Sequence, residues 1–146
     1  MRSATMIVLA MLATNFSYQP AGAGENPEAI AIQGTWEIVS AEIGGQLFPV
    51  EAFNKVQLVL KDGKYQFGID QGVYKLLDAE GKKGIDVIGE QGPNQGKTIP
   101  AIYEIKGDTL KICYDLAGKT RPGKLETEKE TRQFLATYKR AAKPAP

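Results

Sequence analysis

The stretch Val56-Gln-Leu-Val-Leu-Lys-Asp-Gly-Lys-Tyr-Gln-Phe-Gly-Ile69 decides the fold. Apolar and polar residues alternate on both sides of Asp62-Gly63. A two-residue type I′ turn needs positive φ at both central positions, and Asp-Gly adopts that at little cost. Counting outward pairs Leu60 with Tyr65, Leu58 with Phe67 and Val56 with Ile69. These six side chains share one face. Gln57, Lys61, Lys64 and Gln66 share the other. An amphipathic antiparallel hairpin follows, with its register set by the turn and by the apolar face.

A second hairpin repeats the pattern in Ala101-Ile-Tyr-Glu-Ile-Lys-Gly-Asp-Thr-Leu-Lys-Ile-Cys-Tyr114. Gly107-Asp108 suits a type II′ turn, with Gly first. Ile105 then faces Leu110, Tyr103 faces Ile112 and Ala101 faces Tyr114, while Glu104 opposes Lys111 on the outer face as a favourable charge pair. Further strands are expected at Thr35 to Ile43, Gly72 to Leu77, Ile85 to Ile88 and Phe134 to Arg140, with a polar loop from Asp78 to Lys83. The best helical segment is Pro49 to Lys55, where Pro suits the first helical position. About eight strands at this regular spacing predict an all-β fold, a small eight-stranded antiparallel up-and-down barrel.

Residues 1–23 read as a secretory signal peptide: Arg2 near the amino terminus, an apolar run from Ala4 to Ala13, and the small-x-small site Ala21-Gly22-Ala23. The run is shorter than the ~20 residues of a membrane span. The expected organisation is therefore a signal peptide at 1–23, a lead-in at 24–33, a barrel domain at 34–140 and a flexible tail at 141–146. The product is expected to be exported, periplasmic or extracellular, without membrane insertion after signal removal, and monomeric.

Charge and composition narrow the functions. The chain has 146 residues, 18 basic and 17 acidic, with no His and one Cys. Arg2 is the only charged residue of the leader, so the remainder is formally neutral. A neutral surface gives no electrostatic reason to bind nucleic acid. Lack of His excludes a His-based triad, an imidazole base and a His zinc site, and a single Cys forms no internal disulfide. Gly-Lys-Thr at 96–98 and 118–120 is not a phosphate loop, because Gln91 and Cys113 stand where that motif needs its first Gly.

Gly34-Thr35-Trp36 in the first strand, the eight strands and Arg140 in the last together resemble the lipocalin pattern. In that pattern the Trp closes one barrel end and a basic residue packs over its ring. More narrowly, the chain resembles an uncharacterised lipocalin-like family of exported bacterial proteins abundant in planctomycetes. The matching residues span 34–140: Gly34-x-Trp36, Gly72-x-Tyr74, Ile85-Asp86-Val87, Gly96-Lys97, Ile102-Tyr103-Glu104, Gly107-Asp108-Thr109-Leu110, Cys113, Arg121-Pro122 and Lys139-Arg140. Lys83-Gly84 departs from the family, which often has Pro there. The resemblance implies the fold and the barrel-closing role of Trp36 and Arg140, and it brings no established activity.

The expected inner face comprises Trp36, Leu58, Leu60, Tyr65, Phe67, Tyr74, Tyr103, Ile105, Leu110, Ile112 and Tyr114. These side chains can fill a small barrel or line a pocket. The ligand-binding set expected from them is Trp36, Leu58, Tyr65, Phe67, Tyr74, Tyr103 and Tyr114, with Arg121 at the mouth either recognising an anion or fixing loop carbonyls. The expected function is non-enzymatic binding of a small hydrophobic or aromatic molecule inside the barrel, with no cofactor and no metal. The alternative is a filled barrel acting as an interaction or structural module of the cell envelope, with an outer apolar patch around Ile102 and Cys113. Cys113 is read as a small packed residue rather than a reactive thiol. The acidic groups Asp78/Glu80/Asp86 and Glu126/Glu128/Glu130 read as solvated loops. An enzyme without His would need a carboxylate or Lys inside the pocket.

Overall fold

The computed structural model describes residues 26–142. The expected signal peptide at 1–23 and most of the expected tail lie outside the described residues. The described residues form a short helix α1 (Pro27–Ala31) and nine strands: β1 (Gly34–Ile43), β2 (Gln46–Phe48), β3 (Gln57–Lys61), β4 (Lys64–Phe67), β5 (Asp70–Ala79), β6 (Lys82–Gln91), β7 (Thr98–Lys106), β8 (Thr109–Asp115) and β9 (Gln133–Arg140). From β3 to β9 each strand pairs antiparallel with the next, β3 pairs β1, and β9 returns to β1. Eight strands thus close into an up-and-down antiparallel barrel, and β2 pairs only with the end of β1.

Both well-specified hairpins have the expected register. Leu60 faces Tyr65 and Leu58 faces Phe67. Asp62 and Gly63 take φ of 51° and 77°, as a type I′ turn requires. Ala101–Tyr114, Tyr103–Ile112, Glu104–Lys111 and Ile105–Leu110 are all opposed. The expected Val56–Ile69 pair does not form: β4 ends at Phe67, Gly68 turns with φ 62°, and Ile69 is 78% exposed. The expected loop from Asp78 to Lys83 is also corrected. Glu80 and Gly81 form a tight turn at φ 54° and 85°, so β5 and β6 run the ladder out to Ala79–Lys82. Pro49 to Lys55 yields one 3-10 turn, Val50–Phe53, which stops where Asn54 and Lys55 go left-handed.

One end of the barrel is closed by side chains and by the segment before β1. Residues 24–33, expected as a mere lead-in, carry α1, capped by the Asn26 side chain on the Glu28 N–H. Ile32 and Trp36 are fully buried there, and the indole Nε1 donates to the Ile32 carbonyl at 2.9 Å. The Arg140 guanidinium lies 4.2 Å from the Trp36 ring centroid. Its two Nη atoms donate to the carbonyls of Gln33 (2.8 Å) and Ala31 (2.9 Å). Gly34, at φ 137°, leaves the space: a Cβ there would stand 2.7 Å from Arg140 Nη1. Leu60, Tyr74, Ile85, Tyr103 and Leu110 complete this packed half of the core.

The outer face of β7–β9 is covered by the 116–132 connection. Asp115, only 6% exposed, anchors its start by accepting the backbone N–H groups of Ala117, Lys119 and Thr120. Burial opposes ionisation of this carboxyl, but the three N–H donors hold it below the usual carboxylate range.

Arg140→Lys keeps the charge and loses the planar fork that reaches two carbonyls at once. It is expected to lower stability by about 1–3 kcal/mol, read as a lower urea midpoint with unchanged strand content by circular dichroism.

Candidate functional site

At the end opposite Trp36 the barrel is open. A cavity of about 230 Å³ is lined by Ile43, Phe48, Phe53, Leu58, Tyr65, Phe67, Asp70, Asn94, Ile99, Tyr114, Leu116, Phe134 and Tyr138. The lining comes from strand ends at the mouth and from the inward positions of β3, β4, β7, β8 and β9, as the period-2 alternation of strands dictates. Phe53, from the 3-10 turn, is the hub of an aromatic cluster. Its ring centroid lies 5.5 Å from Phe48, 5.9 Å from Phe67 and 6.0 Å from Phe134. Phe134 in turn stacks on Tyr114 at 5.8 Å. These separations fall in the range of favourable aromatic contacts.

Polar groups stand at two places in this apolar wall. Tyr114 and Tyr138 share a hydrogen bond, hydroxyl to hydroxyl, at 3.0 Å. Such a pair uses one proton and leaves the other free to donate. On the other side, the Tyr65 hydroxyl donates to Asp70 Oδ1 at 3.1 Å and Asn94 Nδ2 donates to Asp70 Oδ2 at 2.6 Å. Asn94 reaches inward because the turn after β6 folds down over Gly89, where a Cβ would meet the Asn94 carbonyl oxygen at 1.9 Å. Burial, and then the Asp70 charge, push the Tyr65 hydroxyl well above its ordinary pKa. Burial likewise raises Tyr114 strongly and lifts Tyr138 to about 12. All three phenols are therefore fixed as neutral hydrogen-bonding groups at physiological pH.

Of the expected ligand-binding set, Leu58, Tyr65, Phe67 and Tyr114 line this cavity. Trp36, Tyr74 and Tyr103 do not: they belong to the packed end. There the Tyr103 hydroxyl donates to Glu28 of α1, and burial followed by the Glu28 charge lifts it to about 12. Arg121 is not at the mouth. It lies outside the barrel wall, donating to the carbonyls of Ala101 (2.9 Å) and Ile85 (3.3 Å) and pairing with Asp86 at 2.6 Å. Of its two readings, the fixing of carbonyls matches this geometry.

The outer patch expected at Ile102 and Cys113 is absent, because the 116–132 connection buries both residues. Cys113 Sγ faces the Glu126 carbonyl at 3.5 Å, and burial pushes the thiol up to about 11. A thiol held protonated and covered is a packing residue. The acidic groups do not converge either: among the described residues no three His, Cys, Asp or Glu side chains form a metal-holding cluster. Glu126, Glu128 and Glu130 lie in the covering connection rather than on a strand.

Ile43, Phe48, Phe53, Asp70, Asn94, Ile99, Leu116, Phe134 and Tyr138 are the lining residues that sequence reasoning missed. Asp70 shares parity with Gly72 and Tyr74, so extending that strand by two residues would have placed it inward. Tyr138 and Phe134 share parity with Arg140. Nothing local marks Asn94, whose position depends on the fold of its turn over Gly89.

The raised tyrosines give a stability prediction with a definite sign. Tyr103 and Tyr138 ionise near 12 when folded, against 10.0 when free. Their neutral form favours the folded state, so this stabilisation is complete below pH 10 and declines as pH rises from there toward 12. Tyrosinate absorbance and loss of the circular dichroism signal are expected to rise together in that window, and early ionisation of these tyrosines without unfolding would contradict the assignment. A scan against protein-family models returns no match for this chain, and a search of curated proteins returns none.

Proposed function

We propose that this protein binds a small, largely apolar molecule of about one ring in the open end of its barrel, and that it carries the molecule rather than transforming it. The observation behind this reading is the asymmetry of the interior. One half is packed by Trp36, Leu60, Tyr103 and their neighbours, while the other encloses about 230 Å³ lined chiefly by aromatic side chains. Drug-sized pockets run from about 300 Å³ upward, and a dry cavity of about 150 Å³ accepts benzene, so the volume suits a single substituted ring. Affinity would come from buried area, and orientation from the Tyr114–Tyr138 pair and the Tyr65–Asp70–Asn94 group.

The inward carboxylate that an enzyme without His would need is present in Asp70. The Tyr65 hydroxyl and the Asn94 amide both donate to it, and we read it as an orienting group rather than a catalytic base. The cavity tyrosines are held protonated, which makes them donors rather than bases or nucleophiles. The lone thiol is on the outer side and faces away from the cavity. We further propose that the chain is exported and is a lipocalin-like domain. Export is supported by the sequence of residues 1–23. The lipocalin-like reading is supported by the contact of Arg140 with Trp36 within a closed eight-stranded barrel.

Titration with toluene or indole, followed by amide NMR, tests the binding reading. Shifts are expected around Phe53, Tyr114 and Phe134 and not around Trp36. Ile99→Trp, which places a bulky ring in the cavity, is expected to weaken binding by about tenfold or more while leaving the fold intact. Binding that persists unchanged in this variant, or shifts confined to the outer face, would overturn the proposal.

A further inference from the structure

We propose that the cavity selects a protonated amine: a small molecule with an ammonium head and a one-ring apolar body. This rests on the binding reading of the same cavity and names its ligand class.

Asp70 is the only charged side chain among the lining residues. Its two protein donors, the Tyr65 hydroxyl and the Asn94 amide, are both neutral. Among the described residues no Lys or Arg forms an ion pair with it. Besides Asp70, the charge that raises the Tyr65 hydroxyl is that of Glu90, of the same sign. A carboxylate offers about four acceptor positions, and the protein fills two of them. The wall beside it is aromatic, with Phe67 opposite Asp70 across the β4–β5 ladder and Phe53 against Phe67.

Each ligand class meets this arrangement differently. An anion meets an uncompensated negative charge. A neutral molecule leaves that charge without a counter-ion. An ammonium group gains a charge-assisted hydrogen bond to the carboxylate and attraction to the faces of nearby rings. Its apolar body then fits among Phe53, Phe134 and Tyr114. The Tyr65–Asp70–Asn94 group also pins the 92–97 turn against β5. A latch needs acceptors but no net charge, so the charge itself is what points to a cation.

Three probes with one body separate these possibilities: phenethylamine, phenethyl alcohol and 3-phenylpropionate, measured by calorimetry at neutral pH and low salt. The amine is expected to bind about tenfold tighter than the alcohol, and the acid weakest. Added salt should weaken the amine and leave the alcohol unchanged. Asp70→Asn should bring amine and alcohol to the same affinity. The salt series on the unmodified protein decides the matter alone if that variant fails to fold. Equal binding of all three probes would overturn the amine assignment and leave the cavity reading standing. Tighter binding of the acid would also overturn it. No binding by any probe would overturn both.

Discussion

The pairing of β1 with β9 turns a sheet into a barrel, and the stack of Arg140 on Trp36 secures that seam at one end. Trp36 and Arg140 face each other across the ladder, so the contact joins the first and last strands of the barrel. The guanidinium also holds the carbonyls of Ala31 and Gln33, which fastens the preceding segment over the same opening. A planar cation with several donors can satisfy a ring face and two carbonyls together, which an ammonium cannot. Closure removes the edges of the eight-stranded sheet that would otherwise pair with other chains, and leaves the three-residue β2 as a short edge.

Closing one end with bulky side chains leaves the other with different packing. The indole, α1 and the inward tyrosines fill the first half. At the far half, β1 ends at Ile43, β9 begins at Gln133, and the wall is finished by Phe53 from a 3-10 turn and Asn94 from a strand connection. These pieces meet edge to edge and leave a cavity between them. Gly89 is essential there, because any larger residue would displace Asn94 and with it the second donor to Asp70.

The covering connection accounts for the buried outer residues Ile102 and Cys113. Asp115 starts it, Arg121 inserts its fork against the Ile85 and Ala101 carbonyls, and the Glu126 carbonyl faces Cys113. Its hydrogen bonds satisfy polar groups that burial would otherwise leave costly. The outer apolar residues of β7–β9 become a second small core beneath this strap.

The all-β character, the register of both central hairpins and the barrel architecture are legible in the sequence, whereas β2, the early end of β4 and the tight turn at Glu80-Gly81 are not. Asp62-Gly63 and Gly107-Asp108 set two hairpins through local turn geometry, and alternation assigned the inward faces of both. Trp36 and Arg140 marked the closed end through a recognisable pattern. Turn chemistry and a period of two are local properties, legible wherever the chain is read. Which inward residues pack and which line a cavity follows from the assembled barrel alone. Tyr74 and Tyr103 share the parity of Tyr65 and Tyr114, yet they lie in opposite halves, because height along a staggered barrel depends on the pairing of all eight strands. The same holds for Arg121, Asn94 and Phe53. Each sits in a connection between strands, whose course over the barrel is set by contacts with residues distant in sequence rather than by its own pattern.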